Sequence, residues 1–293
     1  MSPLLTPKLL KQLIITLVVV LLVVVNVFLL RATPESMLLQ FLVVLAVFKH
    51  KAIGRFLSDW AFLISSILLY AWARGVVDDI APFKSATLFL VHNFEYDLLG
   101  VKAGMFIQQL VGINPIVLYV SSILYNMYFF MILAVPFGIW VYKDYYFRDY
   151  VIRFICLMVV GLAFFYLIPT APPWYVSDAL SLGFTRILYT EGLNSSLVGY
   201  GFVRYLLSDN LFAALPSFHV AWTVFQVTYL FKNVSKKFGF FFLIPLGICF
   251  SVLYGAEHYV LDILLGIVLG VSFVYVAKSV FLTQTKKTIN SQP

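Results

Sequence analysis

Residues 115–142 read PIVLYVSSILYNMYFFMILAVPFGIWVY, twenty-eight positions without one charged side chain. Wound as an α-helix at about 1.5 Å per residue, this run is about 42 Å long, more than the roughly 30 Å of a bilayer's hydrocarbon core. A membrane β-strand would instead show about ten residues of alternating polarity. The stretch is therefore read as a membrane-spanning helix, and it sets the expectation for its neighbours.

Outward from it, further apolar runs lie near 13–30, 36–48, 60–73, 151–168, 217–232, 238–256 and 259–281. The run at 36–48 is short for a crossing, so six to eight transmembrane helices are expected. Composition agrees: 62% hydrophobic and 11% charged residues in a chain of 293 exclude a water-soluble globule. The expected fold class is all-α, a polytopic membrane helical bundle. Lys8 and Lys11 precede the first run, which is too long for the apolar part of a signal peptide and is followed by no small-x-small cleavage site. It is read as an uncleaved anchor.

The net charge of +7 comes from basic residues scattered between apolar runs, a membrane-topology pattern that gives no patch for nucleic acid. If all eight runs cross, one set of loops and tails holds Lys8, Lys11, Lys49, Lys51, Arg55, Lys143, Arg148, Arg153, Lys232, Lys236, Lys237, Lys278, Lys286 and Lys287. The other holds Arg31, Arg74, Lys84, Lys102, Arg186 and Arg204. That asymmetry predicts both termini in the cytoplasm and places 74–114 and 169–216 on the non-cytoplasmic side. Cys156 and Cys249 both sit inside apolar runs, which argues against a disulfide framework or a thiolate metal site. No internal repeat of the kind many transporters show is apparent.

Two ionisable clusters stand at the edges of apolar runs. One is AALPSFHVAW (213–222), with His219 just past a Pro-Ser step; the other is GAEHYVLD (255–262), with His258 and Asp262 four residues apart. On a helix, positions i and i+4 share a face about 6 Å apart along the axis, so the carboxylate can orient the imidazole. One hairpin of helices separates the histidines and returns both to the same membrane face. A lone boundary histidine can simply lie among headgroups, and an i, i+4 Asp can be a surface pair. The combination is more specific than its parts, and costly boundary charges are functional candidates. Ser217 reads equally as an ordinary N-cap or as part of an anion site at a helix N-terminus.

The motifs PTAPPWY (169–175), ALPSFHVAW (214–222) and YGAEHYVLD (254–262) resemble the type 2 phosphatidic acid phosphatase superfamily, particularly the branch containing fungal inositol phosphorylceramide synthase. The resemblance covers about residues 115–281. It implies a six-helix core, His258 as nucleophile, Asp262 as its orienting group and His219 as general acid, with no metal or cofactor. It also implies a membrane lipid as substrate. The expected division is 1–58 as N-terminal anchor helices and 59–293 as the catalytic membrane domain.

This sequence departs from the family's phosphatases at two places. Val252, preceded by Ser251, stands where an Arg is usual six residues before the nucleophile, and PTAPPWY replaces the upstream basic motif. Arg204, Arg186, Ser217 and helix N-terminal amides are the candidates for meeting phosphate charge. Trp174 and Tyr175 are read either as an interfacial aromatic belt or as a wall for the lipid. Asp78-Asp79 and the pair Glu95 and Asp97 are read as a solvated face in preference to metal ligands. Asn194-Ser195-Ser196 fits a glycosylation sequon in a eukaryotic source.

Three functions are therefore carried forward. The leading expectation is transfer of a phosphoryl or phospho-headgroup, with phosphoinositol as one candidate, from a lipid to a lipid alcohol. A lipid phosphate or polyprenyl diphosphate phosphatase using water is the close rival, and a non-enzymatic lipid transporter or scaffold is the rival from another class.

Overall fold

The computed structural model describes residues 53–100, 102–183, 185–191 and 210–275. The run at 36–48, nearly all of the expected anchor 1–58, Arg204, the sequon at Asn194 and both chain termini lie outside the described residues.

Among the described residues the chain is helical, with no β-strand. The principal helices are α1 (Ile53–Ile80), α2 (Leu90–Leu99), α3 (Ala103–Val111), α4 (Pro115–Tyr142), α5 (Phe147–Leu167), α6 (Pro173–Leu180), α7 (Phe218–Tyr229), α8 (Leu243–Tyr254) and α9 (Val260–Tyr275). Single turns of helix lie at Lys84–Thr87 and Ile187–Thr190.

Four described helices are long and apolar enough to cross a membrane: Ser58–Ile80, Pro115–Tyr142, Asp144–Leu167 and Lys236–Tyr254. The opening stretch is thus one uninterrupted helix, α4. Asn114 caps it, accepting from the amides of Ile116 at 3.0 Å and Val117 at 3.2 Å, while Pro115 fills a first-turn position that needs no donor. Helix α9 is apolar but shorter, and α7 runs on through the π-helical turn Leu230–Val234. These outer helices expose Leu68, Leu69, Ile116, Leu246 and Leu264, as expected of a protein whose solvent is lipid.

Aromatic side chains fill the interior. Trp222 of α7 lies 5.3 Å from Tyr70 of α1 and 5.1 Å from Phe154 of α5, and Tyr150 continues the column at 5.4 Å from Phe225. The closest helix pair, α7 with α9, depends on two small residues in GIVLG (266–270). A Cβ on Gly266 would meet the Ser217 carbonyl oxygen at 2.7 Å, and one on Gly270 would meet that of Ala221 at 2.5 Å. Such close backbone approach is the usual role of small-xxx-small spacing in membrane helices.

At the far end of this pair, buried Arg153 donates to the carbonyls of Val274 at 3.0 Å and Phe273 at 3.4 Å, satisfying acceptors at the end of α9. Asp149 holds the guanidinium through bonds of 2.8 and 2.9 Å and also accepts from Tyr229 Oη at 2.8 Å. Arg153 was expected in a loop; it is a packed helix residue, so its charge reports on helix capping and not on topology. The basic excess on its side stands without it.

Candidate active site

The three motifs are joined by main-chain hydrogen bonds. Thr170 forms an isolated parallel bridge with Ala213: its amide donates to the Phe212 carbonyl at 2.8 Å, and its carbonyl accepts from Ala214 at 3.2 Å. Its hydroxyl accepts from the Leu215 amide at 2.9 Å. Farther along PTAPPWY, the Trp174 amide donates to the Ala256 carbonyl at 3.0 Å. The prolines make this possible, because Pro169, just past the C-cap of α5, keeps the chain from continuing that helix, and Pro173, after the Pro172 N-cap, starts α6 at its first turn. PTAPPWY is thus the strap between the loop before α7 and the loop before α9.

That strap brings the two histidines together across thirty-nine residues of sequence. His219 Nδ1 lies 3.2 Å from His258 Nε2. The other nitrogen of His258, Nδ1, donates to the Ala214 carbonyl at 2.9 Å. A carbonyl only accepts, so Nδ1 carries the proton and the Nε2 lone pair faces His219. Tyr125 and Tyr128 of α4 flank the His219 ring at 4.5 and 4.6 Å between centroids. Thr223 returns its hydroxyl to the His219 carbonyl at 2.7 Å.

Asp262 Oδ2 approaches His258 Nδ1 at 3.4 Å, so the two residues do meet. The local geometry differs from the one expected. His258 is not on a helix: α9 starts at Val260, after a turn in which Ala256 has a positive φ of 57°. Asp262 occupies the third position of α9, and its Oδ2 reaches back to the Tyr259 amide at 2.8 Å, one half of a capping box. The Ala214 carbonyl is therefore the shorter orienting partner of His258, with Asp262 adding charge behind it. Asp262 Oδ1 is buried without a hydrogen-bond partner.

The other candidates separate. Ser217 stands at the N-cap of α7 but makes no cap bond; its hydroxyl is buried and unpartnered, and its amide donates to the Asp262 carbonyl at 3.0 Å. Arg186 grips the carboxylate of Glu257 through two bonds of 2.6 and 3.0 Å, and its guanidinium lies 4.8 Å over the Trp174 ring. Its charge is thus largely committed beside the histidine pair. Tyr175 stacks edge-on against Phe212 at 5.1 Å and Trp174 at 5.9 Å. The solvated-face reading fails for two acids. Glu95 is 3% exposed and Asp78 is buried against Lys84 at 2.9 Å, because neighbouring donors offset their desolvation.

The sequence profile of the PAP2 superfamily matches residues 91–276, well over half of the chain. The chain belongs to the PAP2 superfamily. A curated relative, phosphoinositol dihydroceramide synthase of Bacteroides thetaiotaomicron, is 33% identical over 124 residues, covering 39% of this chain and 40% of the relative. The chain is thus matched over less than half of that relative's length. No solved structure matches. PAP2 membership and the apolar helices together make this an integral membrane protein of a lipid phosphatase and phosphotransferase family.

The PAP2 match begins after α1, yet α1 brings a candidate cation, Arg74, which the sequence alone placed among the loop charges. Arg74 lies one helical turn beyond Tyr70, whose ring stacks 6.1 Å from Phe218, next to His219. Among the described residues, the environment of His219 is set first by burial, then by the neighbouring His258 ring, and then by the charges of Arg74 and Arg186. Asn210 fixes this end of α1 by donating to the Arg74 carbonyl at 2.8 Å. The i, i+4 spacing of Tyr70 and Arg74 was legible, but nothing in the sequence brings α1 against α7. Glu257, adjacent to His258, was missed for the same reason, since its partner is seventy-one positions away.

Proposed function

We propose that this PAP2 protein transfers a phospho-headgroup from a membrane lipid to a lipid alcohol through a covalent intermediate on His258. The observation that carries the reading is the pairing of His258 Nε2 with His219 Nδ1 at 3.2 Å while Nδ1 of His258 is occupied by a carbonyl. One imidazole thereby offers a lone pair, and the other stands where a proton can be given and taken back.

In the first step His258 Nε2 attacks phosphorus, the bond to the leaving lipid oxygen breaks, and His219 gives that oxygen its proton. In the second, an acceptor hydroxyl loses its proton to His219, its oxygen attacks phosphorus, and the phosphorus–nitrogen bond breaks. In-line displacement puts nucleophile and leaving oxygen on opposite sides of phosphorus, which needs the two nitrogens roughly 6 Å apart. The observed contact is 3.2 Å, so this reading requires the donor phosphate to separate the rings as it enters. Arg74 meets the phosphate charge in place of the arginine absent at Val252, and Trp174 and Tyr175 face the lipid. The excess of Lys and Arg on one set of loops and tails in the sequence, which stands without Arg153, supports a site on the non-cytoplasmic face with both termini in the cytoplasm.

The curated relative's name supports phosphoinositol as the transferred group and a dihydroceramide as the acceptor. The test is acceptor dependence. Purified protein is given phosphatidylinositol labelled in its headgroup, with and without dihydroceramide, in mixed micelles. A transferase forms labelled sphingolipid and releases little free inositol phosphate without acceptor; steady release into water would instead identify a phosphatase.

A further inference from the structure

The loop carrying His258 is fastened at both ends by one segment, α2–α3. At its start, Gln108 of α3 donates to the Tyr254 carbonyl at 2.7 Å, and Tyr254 Oη donates to the Gly112 carbonyl at 2.8 Å. At its end, Glu95 of α2 accepts from the Val260 amide at 2.6 Å through Oε2. The other oxygen, Oε1, accepts from the Ala103 amide at 3.2 Å. Val260 and Ala103 are the first residues of α9 and α3, so a single buried carboxylate receives the leading amides of two helices. Those amides have no partner within their own helices and carry the positive end of the helix dipole.

We propose that Glu95 is a positioning residue for His258: its carboxylate fixes the first turn of α9, and through that turn the register of Asp262 behind the imidazole. The inference rests on the reading of His258 and His219 as the reactive pair. The linkage is short. Val260 opens the turn in which Asp262 takes the third place, and Asp262 Oδ2 joins the Tyr259 amide at 2.8 Å and His258 Nδ1 at 3.4 Å. A carboxylate can accept from both helices at once. A glutamine presents one accepting oxygen and turns an N–H pair toward a donor, leaving one leading amide unsatisfied.

Charge makes the device sensitive to acid. The groups around Glu95 are His92 one turn earlier on α2, Lys102 ahead of α3, and Tyr259 and Asp262 at the start of α9. Burial raises the Glu95 carboxyl above its ordinary 4.5, opposed by the Val260 and Ala103 amides, with the Asp262 charge raising it further. As pH falls through that raised value the carboxyl takes a proton, one oxygen ceases to accept freely, and the turn loosens.

The test follows turnover of phosphatidylinositol and dihydroceramide by the full chain across the acid-to-neutral range, for wild type, Glu95→Gln, Glu95→Asp and His258→Ala. Glu95→Gln is expected to lower kcat about tenfold with little change in KM and to flatten the acid limb. Glu95→Asp, still ionisable, retains an acid limb at reduced rate and carries the same test should the glutamine variant not fold. Amide exchange of the 255–263 peptide is expected to quicken in Glu95→Gln. A wild-type rate and acid limb in Glu95→Gln, with His258→Ala inactive, overturns this inference alone. Normal turnover by His258→Ala overturns the reactive pair and the inference with it.

Discussion

His219 Nδ1 and His258 Nε2 lie 3.2 Å apart, each presented by the chain at the N-terminal edge of a different helix. The contact is too close to hold a phosphorus between them, so the proposed reaction requires it to open. In the proposed scheme removing His219 slows both steps, and when no acceptor alcohol is supplied the second step has no substrate. His219→Ala incubated with labelled phosphatidylinositol is expected to retain an acid-labile phosphate-linked adduct on the peptide bearing His258, detected by mass spectrometry. Adduct on any other residue would contradict the assigned roles.

Arg74 should act on binding of the phosphate. Arg74→Ala is expected to reduce kcat/KM about tenfold to a hundredfold, with partial recovery in Arg74→Lys, since one charged hydrogen bond contributes about 1.5–3 kcal/mol. Unchanged kinetics would transfer the role to another cation.

The Arg186–Glu257 pair holds the loop next to His258. Glu257→Gln leaves the guanidinium with a single neutral acceptor in a half-buried place, and thermal unfolding in detergent should report a loss of up to about 3 kcal/mol. Loss of activity without loss of stability would instead give Glu257 a direct part in the chemistry.

The α7–α9 approach predicts a steric effect. Gly270→Ala sets a methyl 2.5 Å from the Ala221 carbonyl oxygen, a contact backbone cannot relieve easily, and should cost about 1–3 kcal/mol. Gly138→Ala on α4 meets nothing within 4 Å and should stabilise slightly through helix propensity. Equal effects at the two positions would argue against the close packing.

His92 predicts a stability slope. Burial, assisted by the Lys102 charge, lowers its imidazole below the ordinary 6.5. The folded state therefore binds its proton less readily than the unfolded chain. The contribution is complete above pH 6.5 and is lost as pH falls toward and through the lowered value. His92→Asn should shallow the decline of melting temperature over that window; an unchanged decline would place its origin elsewhere.

Much of this arrangement was legible because it is local. The uncharged run 115–142 specifies α4, the Pro-rich PTAPPWY breaks the chain where α6 begins, and His219, His258 and Asp262 announce themselves at run edges. What stayed hidden depends on contacts between distant segments. The Ala214 carbonyl that orients His258 is a backbone atom, and no residue type marks it. Arg74 and Glu95 look like ordinary boundary charges until α1 and α2 are packed against α7 and α9. Glu95 was misread as solvated because its partners are main-chain amides, which every sequence contains.

In the proposed reaction His258 carries the transferred group. The most direct measurement is turnover of headgroup-labelled phosphatidylinositol with dihydroceramide by purified wild type and a folded His258→Ala variant. The account predicts labelled sphingolipid from the wild type and a rate lower by at least about three orders of magnitude in the variant, the scale of losing a catalytic nucleophile. Comparable rates from the two proteins would contradict it.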